Sequence, residues 1–525
     1  MAGKAPLVVV GDALLDRDLT GHADRLAPDA PVPVVADCAE RVRPGGAALT
    51  AYLAARDGRD VTLITGLGDD PAGRELRRLL QPWLTLVPLP TTGALPEKTR
   101  VLAQGRPVVR LDRGTGRVRG ATDEARAALG GAPAVLVSDY GRGAADALRD
   151  ELCGRPPAVW DPHPRGGPPV PGTRLVTPAR SEAHQFAGAL VRPDGTDRTR
   201  EAHGAVPGGA SDGGRGNELW DVAHEATALV RHWRVAAVTV TLGARGALLS
   251  YGEHPLLVPA PAAHHGDPCG AGDRFAAAAA GLLADGALVG EAVEGAVAEA
   301  TAFVGAGGAG GLPDPPRTGA SASGSGRAPT PADGASSADG CRARADGSRA
   351  AARDVPGVTA DGSRAATADG PRTADDPFEV VARVRTGGGT VVAAGGCFDL
   401  LHAGHVGLLQ AARRIGDCLV VCVNSDASVR RRKGDGRPVN PLADRVRVLR
   451  ALACVDAVAV FDEDTPERLL AELRPDVWVK GGDYAGAELP EAALLEEWGG
   501  QAVLLPYLDG RSSTALMARA AESAR

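Results

Sequence analysis

Two α/β units in series, each a largely parallel sheet covered by helices, are what this sequence predicts. Three observations carry that prediction. The length, 525 residues, exceeds what a single core ordinarily fills. Short apolar runs alternate with helix-compatible stretches on both sides of a long polar segment. That segment, 312–376, has almost no large apolar residue and cannot offset the entropy of ordering a chain.

In the first unit, 1–311, the strand signals are PLVVV, VTLIT, AVLVSDY, AVWD, AAVTVTLG and GALLS, with helices such as 273–285 and 290–304. A shorter polar stretch, 191–217, reads as a loop insertion inside this unit. Segment 312–376 reads as a flexible linker, and its repeated ADGSRAA (345–351 and 360–366) as low-complexity sequence without a core. The second unit, 377–525, repeats the alternation in TVVAA, CLVVCVN, DAVAVF, DVWVK and QAVLLPY. Its helices fall near 404–414, 442–452 and 466–473, the pattern of a smaller doubly wound nucleotide-binding domain.

Composition narrows the function classes. The net charge of −7, with arginines scattered along the chain, gives no basic stripe for nucleic acid. Eight cysteines occur without a C-x-x-C pair, which suits a reducing compartment. The N-terminal apolar run is short and broken by Gly11 and Asp12, and no stretch reaches the length of a membrane span. The expectation is a cytoplasmic protein that binds neither membrane nor nucleic acid.

In DPCGAGDRF (267–275) a Gly-Ala-Gly turn runs into a strong helix former. Glycines at a helix N-terminus let a phosphate approach unpaired N–H groups, and Asp273 in the first turn suits a base for a hydroxyl attacking a γ-phosphate. A glycine turn capped by an aspartate is the plainer alternative for these residues alone. The stretch resembles the active-site signature of ribokinase-family sugar kinases, whose fold is an α/β sandwich with a small β lid. That resemblance makes Gly270, Ala271 and Gly272 the anion hole and Asp273 the base. It extends to VVVGDALLDR (8–17), with Asp12 at the sugar position, and to RPGGAA (43–48), with Gly45 and Gly46 near substrate. VSDYGRG (137–143) follows, then TLGARG (241–246), placing Gly243 at nucleotide phosphates. Two positions depart from the family's asparagines, Leu49 and Ala179; they imply a different substrate contact or a weakened kinase. Glu182 is retained and implies an indirect magnesium site.

GGCFDLLHAGH (395–405) places His402 and His405 at a strand-to-helix junction, the edge where open α/β folds bind ligands. Zinc would need further ligands, and only Cys397 is near. The stretch resembles the signature of cytidylyltransferase-like nucleotidyltransferases, in which both histidines stabilise charge on an α-phosphate under attack. Lys433, Arg437 and Lys480 then stand as phosphate ligands. Ser512, Ser513 and Thr514 fall at a final helix N-terminus suited to nucleotide phosphates.

The two halves together, with DRLAPDAPVPVV, EKTRVLAQGRPVVRLD, GRPVNPLADR, EDTPERL and VKGGDY, resemble the bifunctional heptose 7-phosphate kinase / heptose 1-phosphate adenylyltransferases. The resemblance implies ATP as co-substrate of both halves, Mg²⁺, sugar phosphate substrates, a separate phosphatase that removes the 7-phosphate between the steps, and a homodimer. Two alternatives stay open: a sugar kinase fused to a CTP-dependent sugar- or polyol-phosphate transferase, and a transferase carrying a non-catalytic kinase-like module.

Overall fold

The computed structural model describes residues 3–190, 218–252, 255–262, 266–313, 376–481 and 490–505. The insertion 191–217, nearly all of the linker 312–376, and Ser512, Ser513 and Thr514 lie outside the described residues. Strand β1 (Leu7–Gly11) leads into two long strands, β2 (Ala13–Leu26) and β3 (Pro33–Gly46), before β4 (Val61–Gly66) and β5 (Thr85–Leu89) return to the main sheet. A short β6 (Thr91–Thr92) precedes β7 (Glu97–Ala103) and β8 (Arg106–Arg113), and β9 (Arg117–Val118) pairs back with β6. Then come β10 (Val135–Ser138), β11 (Val159–Asp161), β12 (Leu175–Val176), β13 (Val238–Thr241), β14 (Ala247–Ser250) and β15 (Leu256–Val258).

The pattern of β1, LVVVG, buried at every position, is that of a parallel strand covered on both faces. It pairs in parallel with β10 and β4, and β10 continues in parallel through β11, β12 and β13. Helix Ala271–Ala284 presses an alanine-rich face onto this sheet; its small side chains allow close approach, and Phe275 through Gly281 are all buried. Strands β3, β2, β7 and β8 form a separate four-stranded sheet, the lid. Their pattern differs from that of β1: β8 is exposed throughout, because this sheet has one face without a core.

In the C-terminal half, β16 (Val391–Gly396), β17 (Cys418–Asn424), β18 (Ala457–Phe461), β19 (Val477–Gly481) and β20 (Gln501–Leu505) are all parallel neighbours in the order β18-β17-β16-β19-β20. The chain direction of winding reverses at β16, between β17 and β19, which opens a crevice at its C-terminal end. One further pair, Leu256 on β15 with Leu504 on β20, joins these strands to the others, so the main sheet counts fourteen strands.

Candidate active sites

Asp273 sits in the first turn of helix Ala271–Ala284, 9 % exposed. Its Oδ1 accepts hydrogen bonds from the Thr50 hydroxyl at 2.8 Å and the Tyr140 hydroxyl at 3.1 Å. Burial pushes its pKa up to about 6, against the opposing pull of those two donors. A carboxylate so placed is ionised at neutral pH yet a stronger base than one in water. Gly270, the N-cap, has φ +80° and so occupies the left-handed region. A side chain there would also meet Leu49 at 2.9 Å. The amide of Ala271 is spent on the Pro268 carbonyl at 3.0 Å. Those of Gly272 and Asp273 bond no described residue, so two donors face the place where a phosphate oxygen would sit.

Two segments bring in the other carboxylates. Asp12 is buried, and its oxygens accept from the backbone amides of Tyr140 (3.1 Å), Arg142 (2.8 Å) and Ala144 (3.1 Å). It therefore fixes the turn that carries Tyr140. It also borders an open cleft lined with Thr91, Leu95, Arg117 and Arg142, which Asp273 does not line. Asp16, four residues on, keeps Oδ1 buried without a hydrogen bond. Gly45 is what admits it: a Cβ on Gly45 would stand 2.9 Å from the Asp16 carboxyl carbon. Gly46 follows as the N-cap of helix Ala47–Arg56, whose next turn supplies Thr50. At the strand ends, burial raises the pKa of Asp139 to about 7, and that of Asp161 moves in the same direction for the same reason.

At the crevice of the C-terminal half, β16 ends in a turn where Phe398 takes φ +44°, an uncommon conformation for a bulky residue. His402 is the N-cap of helix Ala403–Arg413 and His405 lies in its first turn. Their rings stand 4.0 Å apart between centroids, and Phe398 packs edge-on against His405 at 5.4 Å. Burial, with the neighbouring His402 and Lys433, pushes the pKa of His405 down to about 4, so the ring is neutral at pH 7 without ligand. Lys433 reaches the Cys397 thiol at 3.0 Å. Arg437 pairs with the buried Asp399 at 3.1 Å, and Lys480 with the buried Glu491 at 3.1 Å.

Comparison with known proteins settles what carries these two constellations. The model of the cytidylyltransferase-like family matches residues 393–503, and that of the pfkB carbohydrate kinase family matches residues 170–315. The bifunctional protein HldE of Streptomyces coelicolor is 72% identical over 522 residues, covering 99% of this chain and 98% of the relative. The chain belongs to the HldE family. A more distant HldE, from Azorhizobium caulinodans, is 34% identical with 98% of each chain covered. Among solved structures, Arabidopsis thaliana ribokinase with ribose and ATP aligns with a TM-score of 0.43 at 20% identity, covering 60% of this chain and 96% of that one. As an HldE, the chain is a carbohydrate kinase and a nucleotidyltransferase of ADP-heptose synthesis acting on small molecules.

Within this HldE, Gly270, Ala271, Gly272 and Asp273 come together with Thr50, Tyr140 and Asp16, which the sequence reading did not single out. Leu49, where the family carries asparagine, points into the core, 1% exposed beneath Gly270, while its neighbour Thr50 bonds Asp273. Gly243, with φ +61°, opens a 3₁₀ turn after β13. Ala179 caps helix Arg180–Gly188, and Glu182 accepts its amide at 2.9 Å. Arg437 and Lys480, expected as phosphate ligands, are each held by a carboxylate. Arg445 was also missed. Buried, it bonds the Cys397 carbonyl at 2.7 Å, the Asn440 carbonyl at 3.1 Å and Asp426 at 2.7 Å, which fixes the loop entering the histidine motif.

Proposed function

We propose that Asp273 is the base of the kinase reaction. It takes the proton from the anomeric hydroxyl of D-glycero-β-D-manno-heptose 7-phosphate as that oxygen bonds to the γ-phosphorus of ATP. The bond from that phosphorus to the bridging oxygen breaks, and ADP leaves. The observation that carries this reading is one buried carboxylate, with pKa about 6, beside two helix-terminal amides aimed at the same space. Asp16, whose Oδ1 beside Gly45 is ion-paired with Arg100 but accepts no hydrogen bond, would receive a sugar hydroxyl. Asp12, Gly45 and Gly46 shape that site, and Gly243 the approach of the nucleotide.

In the second reaction an oxygen of heptose 1-phosphate attacks the α-phosphorus of ATP, pyrophosphate leaves, and ADP-heptose forms. His402 and His405 would donate to the α-phosphate oxygens as charge builds there, with Lys433 beside them. Arg437 and Lys480 would act on phosphates only by sharing or leaving their carboxylate partners. Ser512, Ser513 and Thr514 are retained as phosphate ligands of the same site. A separate phosphatase must remove the 7-phosphate between the steps.

Mg²⁺ fits the kinase half through charge. Asp161 and Glu182 both have pKa values raised by burial, and Glu182 adds to the shift of Asp161; a divalent cation nearby would favour their ionised forms. A cation there would be held mainly by nucleotide phosphates and water. We place the two activities in domains 1–311 and 377–525 joined by 312–376. The seven described cysteines, all free, support a cytoplasmic setting. No described helix is long and apolar enough to cross a membrane. Exposed Leu26 and Val32 near the lid's outer strand support a homodimer, tested by light scattering after gel filtration.

The test is to incubate the purified protein with the heptose 7-phosphate, ATP and Mg²⁺ and follow phosphorus NMR. Heptose 1,7-bisphosphate with ADP is expected, then ADP-heptose once a phosphatase is added. Replacing ATP by CTP in the second step should abolish turnover; equal turnover would overturn the adenylyl assignment.

A further inference from the structure

The lid turns one charged face toward Asp273, and its register defines that face. Direct neighbours across strands share a face. One row therefore runs Arg43, Asp16, Lys98, Asp112, and the next runs Arg41, Asp18, Arg100, Arg110. The contacts agree with this placement. Arg43 reaches Asp16 at 3.8 Å, Arg100 stands 3.6 Å from both Asp16 and Asp18, and Arg110 pairs with Asp112 at 2.5 Å. Arg43 and Arg100 also reach the thiol of Cys269, at 3.7 and 3.6 Å, immediately before the anion-hole turn. The opposite face holds a separate pair, Arg17 with Glu97 at 3.1 Å.

Five cations on this face meet three carboxylates and the facing Asp273, so one positive charge remains in excess. Lys98 lies among these charges, desolvated by burial and attracted by Asp16 and Asp273. It is half-buried and makes no hydrogen bond or ion pair with a described residue; its ammonium lies 5.5 Å from the centre of the Tyr140 ring, the ring whose hydroxyl holds Asp273. Burial costs this ammonium solvation that Asp16 and Asp273 offset only in part, and a bound anion would restore more of it. The γ-phosphate would take the amides of Gly272 and Asp273 at the helix end. The remaining anion of the reaction is the phosphate at the distal end of the sugar.

We propose that Lys98, supported by Arg100 and Arg110, binds the distal phosphate of the sugar substrate and is the residue by which the kinase half selects a sugar phosphate over a free sugar. This rests on the heptose 7-phosphate kinase assignment, which turnover by the unaltered protein checks separately. The lid's alternation of acid and base serves the same end. Asp16 and Asp18 hold Arg43 and Arg100 in place, Asp16 Oδ1 still lacks a hydrogen bond that a sugar hydroxyl could supply, and Lys98 is left to meet the phosphate.

The experiment is steady-state kinetics of the full-length protein carrying Lys98→Met, with heptose 7-phosphate and ATP varied in turn. Loss of one charge-assisted contact predicts a rise in KM for the sugar phosphate of about ten- to hundredfold. KM for ATP should change less than about twofold, and Lys98→Arg should recover most of the loss. Arg110→Gln, at a side chain 57% exposed and so tolerant of change, should raise the same KM by a smaller factor. Unphosphorylated heptose, titrated calorimetrically, should bind Lys98→Met as it binds the unaltered protein. A rise in KM for ATP instead would assign the ammonium to the γ-phosphate and overturn the proposal. So would an unchanged KM for the sugar phosphate, or weakening of the free heptose to the same extent.

Discussion

At the kinase centre the proposed base is a carboxylate that burial makes harder to ionise; at the transferase centre the proposed phosphate donor is an imidazole that burial makes harder to protonate. Asp273 is pushed up to about 6 and His405 down to about 4 by the same desolvation. The consequences differ. Two hydroxyl donors on Asp273 offset part of the burial cost, so at pH 7 the carboxylate is ionised. His405 faces His402 and Lys433, which add to the burial cost, so it waits neutral for the negative charge of a triphosphate. One site is tuned by its own hydrogen bonds and the other by its ligand.

The largest effects separate the two halves. Asp273→Asn should lower the kinase rate by about 10²–10⁴-fold while adenylyl transfer in the same chain keeps its rate. Coupled assays of ADP and pyrophosphate release read the two independently. His402→Ala or His405→Ala should do the reverse, costing adenylyl transfer on the order of 10²–10³-fold. If either substitution silenced both activities, the comparison of two independent centres would fail.

Next comes Leu49→Asn. It introduces an amide into a site beneath Gly270 that is closed to water, and should destabilise the kinase half by about 2–3 kcal/mol, read as a lowered denaturant midpoint. A gain in kinase rate would instead mean that position 49 reaches substrate.

Smaller effects sharpen the contrast in titration. With Asp273 as the proposed base, kinase kcat/KM should fall as pH drops through about 6. Thr50→Val and Tyr140→Phe each remove a donor that holds this pKa down, so the acidic limb should move upward. The loss is about three- to tenfold at pH 6 and slight at pH 8. Limbs that stay in place would detach these hydroxyls from the base. For the transferase half, ATP binding should raise the pKa of His405 and take up a fraction of a proton near pH 6. Titration calorimetry in two buffers of different ionisation enthalpy measures that fraction, and His405→Gln should remove it.

Much of this was written in the chain. The buried run LVVVG and the alternation of apolar strands with helices follow from periodicity alone, as does Gly-Ala-Gly-Asp at a helix start. His402 and His405 at a strand end belong with them, because a local pattern fixes which backbone groups and side chains meet. What the sequence could not determine depends on distant segments. Thr50 and Tyr140 meet Asp273 across separations of 223 and 133 residues, and Arg445 threads under a loop 48 residues away. Arg437 and Lys480 look like phosphate ligands in one dimension, yet each finds a buried carboxylate in three. Likewise Lys98 was one basic residue among 58 lysines and arginines until strand register set it opposite Asp16 and above Tyr140. Local pattern sets the backbone, whereas the charge state of a buried group is the sum over everything packed around it, and only the folded chain decides what that is.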